Sequence, residues 1–195
     1  ILNSIGKAPY QQKTTSKKES QYEMLKRLEM SLEMAENLIE YCDTKGITFL
    51  TTPFDEYSLH LLDDCNLHGY KIASTDLTNI PFLVKVAKKN KPIILSTGMS
   101  YLSEVEIALK SIHDYNKDVV LLQCSANYPI KDEDANLAVI NTFKDKFDVI
   151  VGYSDHSVGV GASPYAVAMG AKVIEKHFTM DKSSEGPDHL ASLSP

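Results

Sequence analysis

The chain has 195 residues, of which 43% are hydrophobic and 24% charged, a balance typical of one globular domain with a packed core. A formal net charge of −6 with dispersed basic residues argues against a nucleic-acid partner, and no stretch is long and apolar enough to enter a membrane. Cys42, Cys65 and Cys124 are widely spaced and odd in number, which predicts reduced thiols and a cytoplasmic location rather than a disulfide framework.

The first part of the chain predicts few regular elements. Residues 1–21 are polar, irregular and rich in Lys, Ser and Thr, which predicts a surface loop. A short amphipathic turn follows over residues 22–30. Ser31 is a typical N-cap for a helix that runs to about Lys45, and Gly46 is a typical residue to end it.

From residue 47 onward, short apolar runs alternate with amphipathic segments, which predicts strands separated by helices. The predicted strands cover residues 47–52, 70–74, 92–97, 119–124, 149–156 and 172–179. The predicted helices between them cover residues 55–65, 81–89, 103–113, 134–147 and 158–170.

This alternation is typical of an α/β fold with a parallel sheet covered by helices. No strand is followed by G-x-G-x-x-G, which argues against an open dinucleotide-binding sheet and favours a (β/α)8 TIM barrel. A complete barrel has eight strands in typically ~250 residues, whereas this chain shows six and does not begin with Met. We therefore expect residues 1–195 to form an incomplete barrel domain without its first two strands.

The last two predicted strands each end in a polar cluster that contains a histidine, His156 or His177. Parallel strands deliver their carboxyl ends to one edge of a sheet, so these imidazoles are expected to be neighbours, with Ser154, Asp155 and Glu175 beside them. Two neutral imidazoles would form half of the shell of a divalent transition metal. The alternative is that each histidine is only a hydrogen-bonded polar end of a strand.

Other strand ends are rich in hydroxyl groups, at Thr52, Ser74 and Ser96, and Lys71 lies within a strand. Side-chain alternation directs Lys71 into the barrel, where a buried ammonium group needs an anionic partner. Hydroxyls and a lysine at one mouth suit a phosphate-bearing anion. For each Ser or Thr alone, a turn or a helix cap is the competing interpretation.

Five segments together resemble the sialic acid synthase family, in family order and with compatible spacing. They are KIASTDLTN (71–79), PIILSTGM (92–99), GYSDH (152–156), EKHFT (175–179) and GPDHLASLSP (186–195). The segment 17–26 resembles the bacterial members that make neuraminic or legionaminic acid more than those that make pseudaminic acid.

The resemblance implies condensation of phosphoenolpyruvate with an N-acetylated amino sugar, N-acetylmannosamine or a related hexosamine, to give a nonulosonic acid. In the family a metal-dependent barrel is followed by a small antifreeze-like domain, and the enzyme is a homodimer. That second domain is absent from residues 1–195.

Carried over by position, the resemblance assigns roles to single residues. His156 and His177 become ligands of a divalent metal, Mn²⁺ before Mg²⁺ or Co²⁺, with Ser154 and Glu175 close to it. The positions that match phosphoenolpyruvate contacts are Thr52, Lys71, Ser74 and Ser96, and those that match amino-sugar contacts are Tyr128 and Asp188.

The residues implied to take part in catalysis are Asp76, Glu175 and Lys71. Asp76 stands where many members have a glutamate that handles the attacking water, so its shorter carboxylate is a departure from the family pattern. Ala126 replaces an asparagine of some members.

Two other interpretations stay open at this point. A metal-dependent TIM-barrel hydrolase also places histidines and carboxylates at strand ends, but on a neutral substrate it would not need the lysine and hydroxyl set. A catalytically inactive fragment of the synthase is the third interpretation, because two strands and the second domain are expected to be missing.

Overall fold

The computed structural model describes residues 6–16 and 18–195, so the start of the predicted loop and the first residue of segment 17–26 lie outside the described residues. The central element is a sheet of five parallel strands that are hydrogen-bonded in chain order. The strands are β1 (Tyr70–Ile72), β2 (Ile93–Ser96), β3 (Val119–Cys124), β4 (Ile150–Asp155) and β5 (Ile174–Lys176).

Eight α-helices lie in the described part of the chain, four of them before β1 and one in each crossover after it. The first four are α1 (Pro9–Thr14), α2 (Gln21–Leu28), α3 (Leu32–Lys45) and α4 (Glu56–Leu61). The crossover helices are α5 (Ile80–Ala87), α6 (Leu102–His113), α7 (Ala138–Lys146) and α8 (Ser163–Ala168).

The connections show that the sheet is part of a barrel. Each strand is followed by a helix and then by the next strand of the sheet. Parallel crossovers of this kind are right-handed almost without exception, so α5 to α8 all cover the same face. The sheet curls into a half-barrel, and the predicted incomplete (β/α)8 barrel is confirmed.

The predicted strand over residues 47–52 is reduced to a single bridge. Thr51 pairs with Tyr70 in parallel, and the Thr51 carbonyl accepts a hydrogen bond from the Lys71 amide at 3.0 Å. Ile47 is 61% exposed and Leu50 39% exposed, so packing gives this segment little support as an edge strand. The expected six strands are therefore corrected to five strands and one bridge.

The loop predicted over residues 1–21 is wrong for its middle part, where α1 forms. Lys7 is 5% exposed, and its Nζ donates to Thr15 Oγ1 at 2.8 Å and pairs with Glu19 at 3.2 Å. Sequence polarity suggested an exposed loop because it does not reveal that a lysine will find partners within its own segment.

The ends of α3 agree with the sequence. Ser31 Oγ accepts a hydrogen bond from the Met34 amide at 3.1 Å, and Gly46 follows with φ of 66°. An N-cap hydroxyl and a left-handed glycine satisfy backbone groups that a helix leaves free at its two ends. Helix α4 begins after Asp55 as predicted, but it ends at Leu61 rather than at Cys65.

Two further expectations concern the cysteine thiols and membrane-spanning segments. Cys42, Cys65 and Cys124 are all free, which confirms the prediction of unpaired thiols. Across residues 6–16 and 18–195, no helix combines the length and the apolar character that crossing a membrane requires.

The two faces of the sheet differ in how well they are covered. The side chains that face the helices are almost fully buried, since Ile72, Leu95, Leu121 and Tyr153 are each 0% exposed. On the opposite, concave face, Ile150 is 54% exposed. The core therefore lies between sheet and helices. The concave face is exposed at Ile150 but buried at Leu122, Ser96 and Ser154.

Gly152 in β4 permits the close approach of β5, and this contact gives a first prediction. A Cβ at this position would overlap the Val173 carbonyl oxygen and lie 2.6 Å from Leu122 Cδ2. We expect Gly152→Ala to lower the free energy of unfolding by about 1–3 kcal/mol, the usual cost of overpacking. Urea denaturation measures this change.

The matched control is Gly6→Ala, where the added Cβ would meet only Gln12 Nε2 at 3.9 Å. Its free energy of unfolding should stay close to that of the unmodified protein. Equal stability of the two variants would show that β4 and β5 are not held as closely as described.

Candidate active site

A lysine and a glutamate from opposite edges of the sheet meet on its concave face. Lys71 lies on β1 and Glu175 on β5, yet Lys71 Nζ is 3.5 Å from Glu175 Oε1. In a flat sheet these two strands would be about 19 Å apart, from a strand spacing of about 4.8 Å. The contact therefore depends on the curl of the half-barrel, and it shows that Lys71 points inward with Glu175 as its counter-ion.

Glu175 extends this contact into a row of polar side chains. Ser154 Oγ donates to Glu175 Oε2 at 2.6 Å, and Ser154 is paired with Cys124 in the β3–β4 ladder. Burial raises the pKa of the Cys124 thiol, whose Sγ lies 3.9 Å from His156 Nδ1. The concave face thus carries charged and polar groups at the carboxyl ends of its strands, where a barrel places its site.

Ser96, on the same face, has an unsatisfied hydroxyl group. Its side chain is 2% exposed, and its Oγ has no hydrogen-bond partner among the described residues. Leaving a buried hydroxyl without a partner costs free energy, which a bound acceptor would recover. Ser96 is therefore a candidate donor to an anion that occupies the concave face.

The two histidines lie side by side at the ends of β4 and β5, as predicted. The ring centroids of His156 and His177 are 5.4 Å apart. His156 is 4% exposed, and its Nδ1 is 2.8 Å from the Ser125 carbonyl oxygen. Burial lowers the pKa of His156, which favours a neutral ring at pH 7.

This geometry fits a divalent cation held by both rings. With metal–nitrogen bonds of about 2.1 Å, two neighbouring imidazole ligands have centroids roughly 4.5–5.5 Å apart. A carbonyl that accepts from Nδ1–H of His156 would leave Nε2 as the ligand atom, and metal-binding histidines usually donate their other ring N–H in this way. Within the described ranges, no group of three or more His, Cys, Asp or Glu side chains is arranged to hold a metal.

Two tyrosine rings, Tyr128 and Tyr10, pack in sequence outward from the histidines. The ring centroid of Tyr128 is 4.0 Å from that of His156 and 5.6 Å from that of His177. Tyr10 of α1 stacks on the outer side of Tyr128 at 5.3 Å, with 26° between the ring planes. Burial raises the pKa of both tyrosines, and the nearby negative charge of Asp188 acts in the same direction.

The structure thus brings Tyr128 together with the two histidines and adds Tyr10, which sequence reasoning missed. No motif or periodicity marks Tyr10, because its position depends on how α1 docks. The docking includes a hydrogen bond from the Gly186 amide to the Thr14 carbonyl oxygen at 3.2 Å.

Asp76 and Thr52 are not linked to this group by the contacts seen in the described part of the chain. Asp76 is 9% exposed and accepts a hydrogen bond from Asn79 at 3.2 Å. In the part of the chain described, no hydrogen bond or ion pair joins Asp76 to Lys71, Glu175 or either histidine. Thr52 is half-buried, one residue past the Thr51 bridge.

Asp155, which the sequence placed beside the histidines, points to the other face of the sheet. It is fully buried, and it accepts hydrogen bonds from the backbone and hydroxyl groups of Ser157 and Ser163. Burial opposes its ionisation, yet these bonds and the charge of Lys176 hold the pKa of Asp155 below its usual value. Its role is therefore structural.

Known proteins resemble this chain in sequence and in fold. The family model described as the NeuB family matches residues 1–195. The N,N'-diacetyllegionaminic acid synthase of Campylobacter jejuni is 48% identical over 198 residues, and that of Legionella pneumophila is 45% identical over 200 residues. The crystal structure of the N-acetylneuraminic acid synthetase of Leptospira borgpetersenii, in complex with citrate, matches with a TM-score of 0.86 and 37% identity.

The matches cover most of this chain but only part of each relative. The two synthases align with 100% of the chain, and the crystal structure aligns with 88% of it. The same alignments cover 59%, 56% and 60% of those proteins, respectively. The chain therefore spans a little over half the length of the relatives it matches.

The unsatisfied hydroxyl of Ser96 gives a prediction that can be tested without any substrate. Ser96→Ala removes a buried group that lacks a partner, so we expect the free energy of unfolding to rise by about 1 kcal/mol. Its neighbour Thr97 is a matched control, because Thr97 Oγ1 donates to the Leu122 carbonyl oxygen at 2.9 Å.

Thr97→Val should instead lower the free energy of unfolding by about 1 kcal/mol, the net value of one hydrogen bond. Denaturant unfolding of both variants measures the pair of changes. If Ser96→Ala destabilises the protein as much as Thr97→Val does, the Ser96 hydroxyl already has a hydrogen-bond partner and is not available to a ligand.

Proposed function

Because the chain belongs to the NeuB family, we propose that the protein containing it condenses phosphoenolpyruvate with an N-acetylated hexosamine, giving a nonulosonic acid and phosphate. The relatives compared above are named as legionaminic and neuraminic acid synthases, which supports a product of this class. The observation that carries the proposal is the polar row from Lys71 through Glu175 to Ser154, which ends beside two histidines.

In this proposal, Lys71 and Ser96 bind the phosphoenolpyruvate anion. Lys71 supplies a positive charge on the concave face, and Ser96 supplies a buried donor that has no partner among the described residues. Both interactions with an anion are charge-assisted hydrogen bonds, which are stronger than neutral ones. Ser74 and Thr52 are proposed to complete the anion site, as the family resemblance implies.

His156 and His177 are proposed to hold one divalent cation, Mn²⁺ or alternatively Mg²⁺ or Co²⁺. When bound, the cation would act as a Lewis acid on the sugar aldehyde. Buried His156 is held in orientation by the Ser125 carbonyl and by the Tyr128 ring, so its coordinating nitrogen needs little reorganisation. Positioning of this kind is the main contribution that a two-substrate condensation needs from the protein.

The amino sugar is proposed to bind against Tyr128 and Asp188. Tyr128 lies next to both histidine rings, which places an aromatic surface beside the expected position of the aldehyde. Tyr10 extends that surface outward. Asp188 contributes a carboxylate, which is a hydrogen-bond acceptor for sugar hydroxyl groups.

The carboxylates are proposed to handle the water that enters the reaction. After the methylene carbon of phosphoenolpyruvate bonds to the aldehyde carbon, water adds to the neighbouring carbon that carries the phosphate oxygen. Phosphate then leaves from that carbon, which becomes the keto group, and the aldehyde oxygen takes up a proton. Glu175 contacts Lys71 and Ser154 on the concave face, so it is the better-placed general base of the described structure. Asp76 keeps the role that its family position implies, with Asn79 as its observed partner.

The proposed setting is a homodimer in the cytoplasm. The free thiols and the acidic composition support that location, and the family resemblance supports the dimer.

The reaction type gives the test that separates a condensing enzyme from a metal-dependent hydrolase. In the protein containing this chain, phosphate release from phosphoenolpyruvate should require both Mn²⁺ and a hexosamine, because the enol attacks only when the aldehyde is in place. The substrates for the assay are N-acetylmannosamine and a diacetamido hexose, each tested with and without a chelator. Phosphate release without any sugar would refute the condensation.

The anion site gives a second test, through Lys71→Met. This change removes the charge and keeps most of the stem, and Glu175 remains solvated because its side chain is 40% exposed. We expect folding to survive and the KM for phosphoenolpyruvate to rise roughly ten- to hundredfold, for the loss of about 1.5–3 kcal/mol in a charge-assisted contact.

Lys146→Met is the matched control, since it removes the same charge from an exposed pair with Glu106 at 2.9 Å. Its KM for phosphoenolpyruvate should not change. An unchanged KM in Lys71→Met as well would show that the lysine serves only to pair with Glu175.

A further inference from the structure

The residues that directly precede the two histidines are paired with each other. Asp155 precedes His156 at the end of β4, and Lys176 precedes His177 at the end of β5. In the β4–β5 ladder, Asp155 and Lys176 are direct partners and form its last pair. Both histidines therefore follow the last point at which the backbone of the two strands is held together.

The side chains of this last pair form a buried ion pair. Lys176 Nζ is 3.4 Å from Asp155 Oδ2, and the two side chains are 8% and 0% exposed. Because side chains alternate along a strand, the pair lies on the face of the sheet opposite to Ser154 and Glu175. It is therefore near the histidines in the chain but outside the concave face.

Both members of the pair have further partners that join three parts of the chain. Asp155 Oδ1 accepts from Ser157 N at 2.8 Å, and Asp155 Oδ2 accepts from Ser163 N at 3.0 Å and Ser163 Oγ at 2.6 Å. Lys176 Nζ donates to the Ser157 carbonyl oxygen at 2.6 Å. The network thus connects β5, the end of β4 and the first residue of α8.

These contacts exclude a direct chemical role for Asp155. Two donors reach each of its carboxylate oxygens, so the usual acceptor positions of the group are occupied. A carboxylate in that state has no free position for a metal, a substrate or a water molecule. The buried ion pair therefore acts through the strand ends that it holds in place.

We propose that the Asp155–Lys176 ion pair is a positioning element that fixes the separation of the His156 and His177 rings. The backbone ladder between β4 and β5 ends at Asp155 and Lys176. The ion pair between their side chains prevents the two strand ends from separating. The proposal rests on the proposed function only in its consequence for metal affinity. The ring separation itself is a property of the metal-free protein.

The test uses Lys176→Met in the protein containing this chain, with Lys146→Met as the control that breaks an exposed ion pair. Calorimetry gives the Kd for Mn²⁺, and crystal structures of the metal-free variants give the separation of the histidine rings. We expect Lys176→Met to raise the Kd for Mn²⁺ by tenfold or more, the scale reported for residues that orient metal ligands. Lys146→Met should leave Kd and ring separation unchanged, and Lys176→Arg should restore most of the affinity.

Stability and positioning are separated by a milder variant. Lys176→Gln removes the charge of the ion pair but keeps an amide that can donate to the Ser157 carbonyl oxygen, so it provides a folded protein if Lys176→Met does not fold. A movement of the rings or a weaker Mn²⁺ affinity in either folded variant supports the proposal. Unmoved rings together with unchanged affinity would overturn it.

A failure of the proposed metal site would be recognised separately. If the unmodified protein does not bind Mn²⁺, the metal part of the proposed function is wrong, and the ring separation in the metal-free structures alone decides the positioning role. Displaced rings in Lys176→Met then support that role, and undisplaced rings refute it.

Discussion

The contact between Lys71 and Glu175 depends on the curvature of the sheet, and the rest of the site depends on the same curvature. The two residues belong to the first and last strands, and only a curled sheet brings their side chains to 3.5 Å. The curl also turns the carboxyl ends of the inner strands toward a common centre, where Ser154, Cys124 and the two histidines meet. A flat sheet with the same sequence would scatter these groups along one edge.

The alternation of side chains along β4 and β5 separates two kinds of charge. Ser154 and Glu175 face the concave side, where Glu175 stays 40% exposed and its charge remains solvated. Asp155 and Lys176 face the helices, where both are buried and bonded to fixed partners. Glu175 on the concave side therefore keeps its charge in contact with solvent, whereas Asp155 and Lys176 on the helix side are enclosed. An offset of one residue along the strand decides between the two environments.

Much of this arrangement follows from the sequence, because it depends on local patterns. The apolar runs locate all five strands, the cap at Ser31 and the stop at Gly46 set the ends of α3, and the alternation through Lys71 gives its inward direction. The histidine pair is predictable because parallel strands end at one edge. What could not be predicted depends on partners far along the chain, such as Tyr10 on Tyr128. The single bridge at Thr51 reflects a strand whose side chains have little to pack against, which no local pattern reports.

The concave face also shows how a binding site conflicts with stability. The core on the helix side leaves almost no apolar side chain exposed, whereas the concave face keeps Ile150 exposed and the hydroxyl of Ser96 without a partner among the described residues. Both features lower the free energy of unfolding, since apolar area remains in water and a buried donor remains without a hydrogen-bond acceptor. An anion that accepted from Ser96 and Lys71 would recover part of that cost on binding. Only the Ser96 part of the cost lies at the candidate site, because Ile150 is at the opposite, amino end of β4.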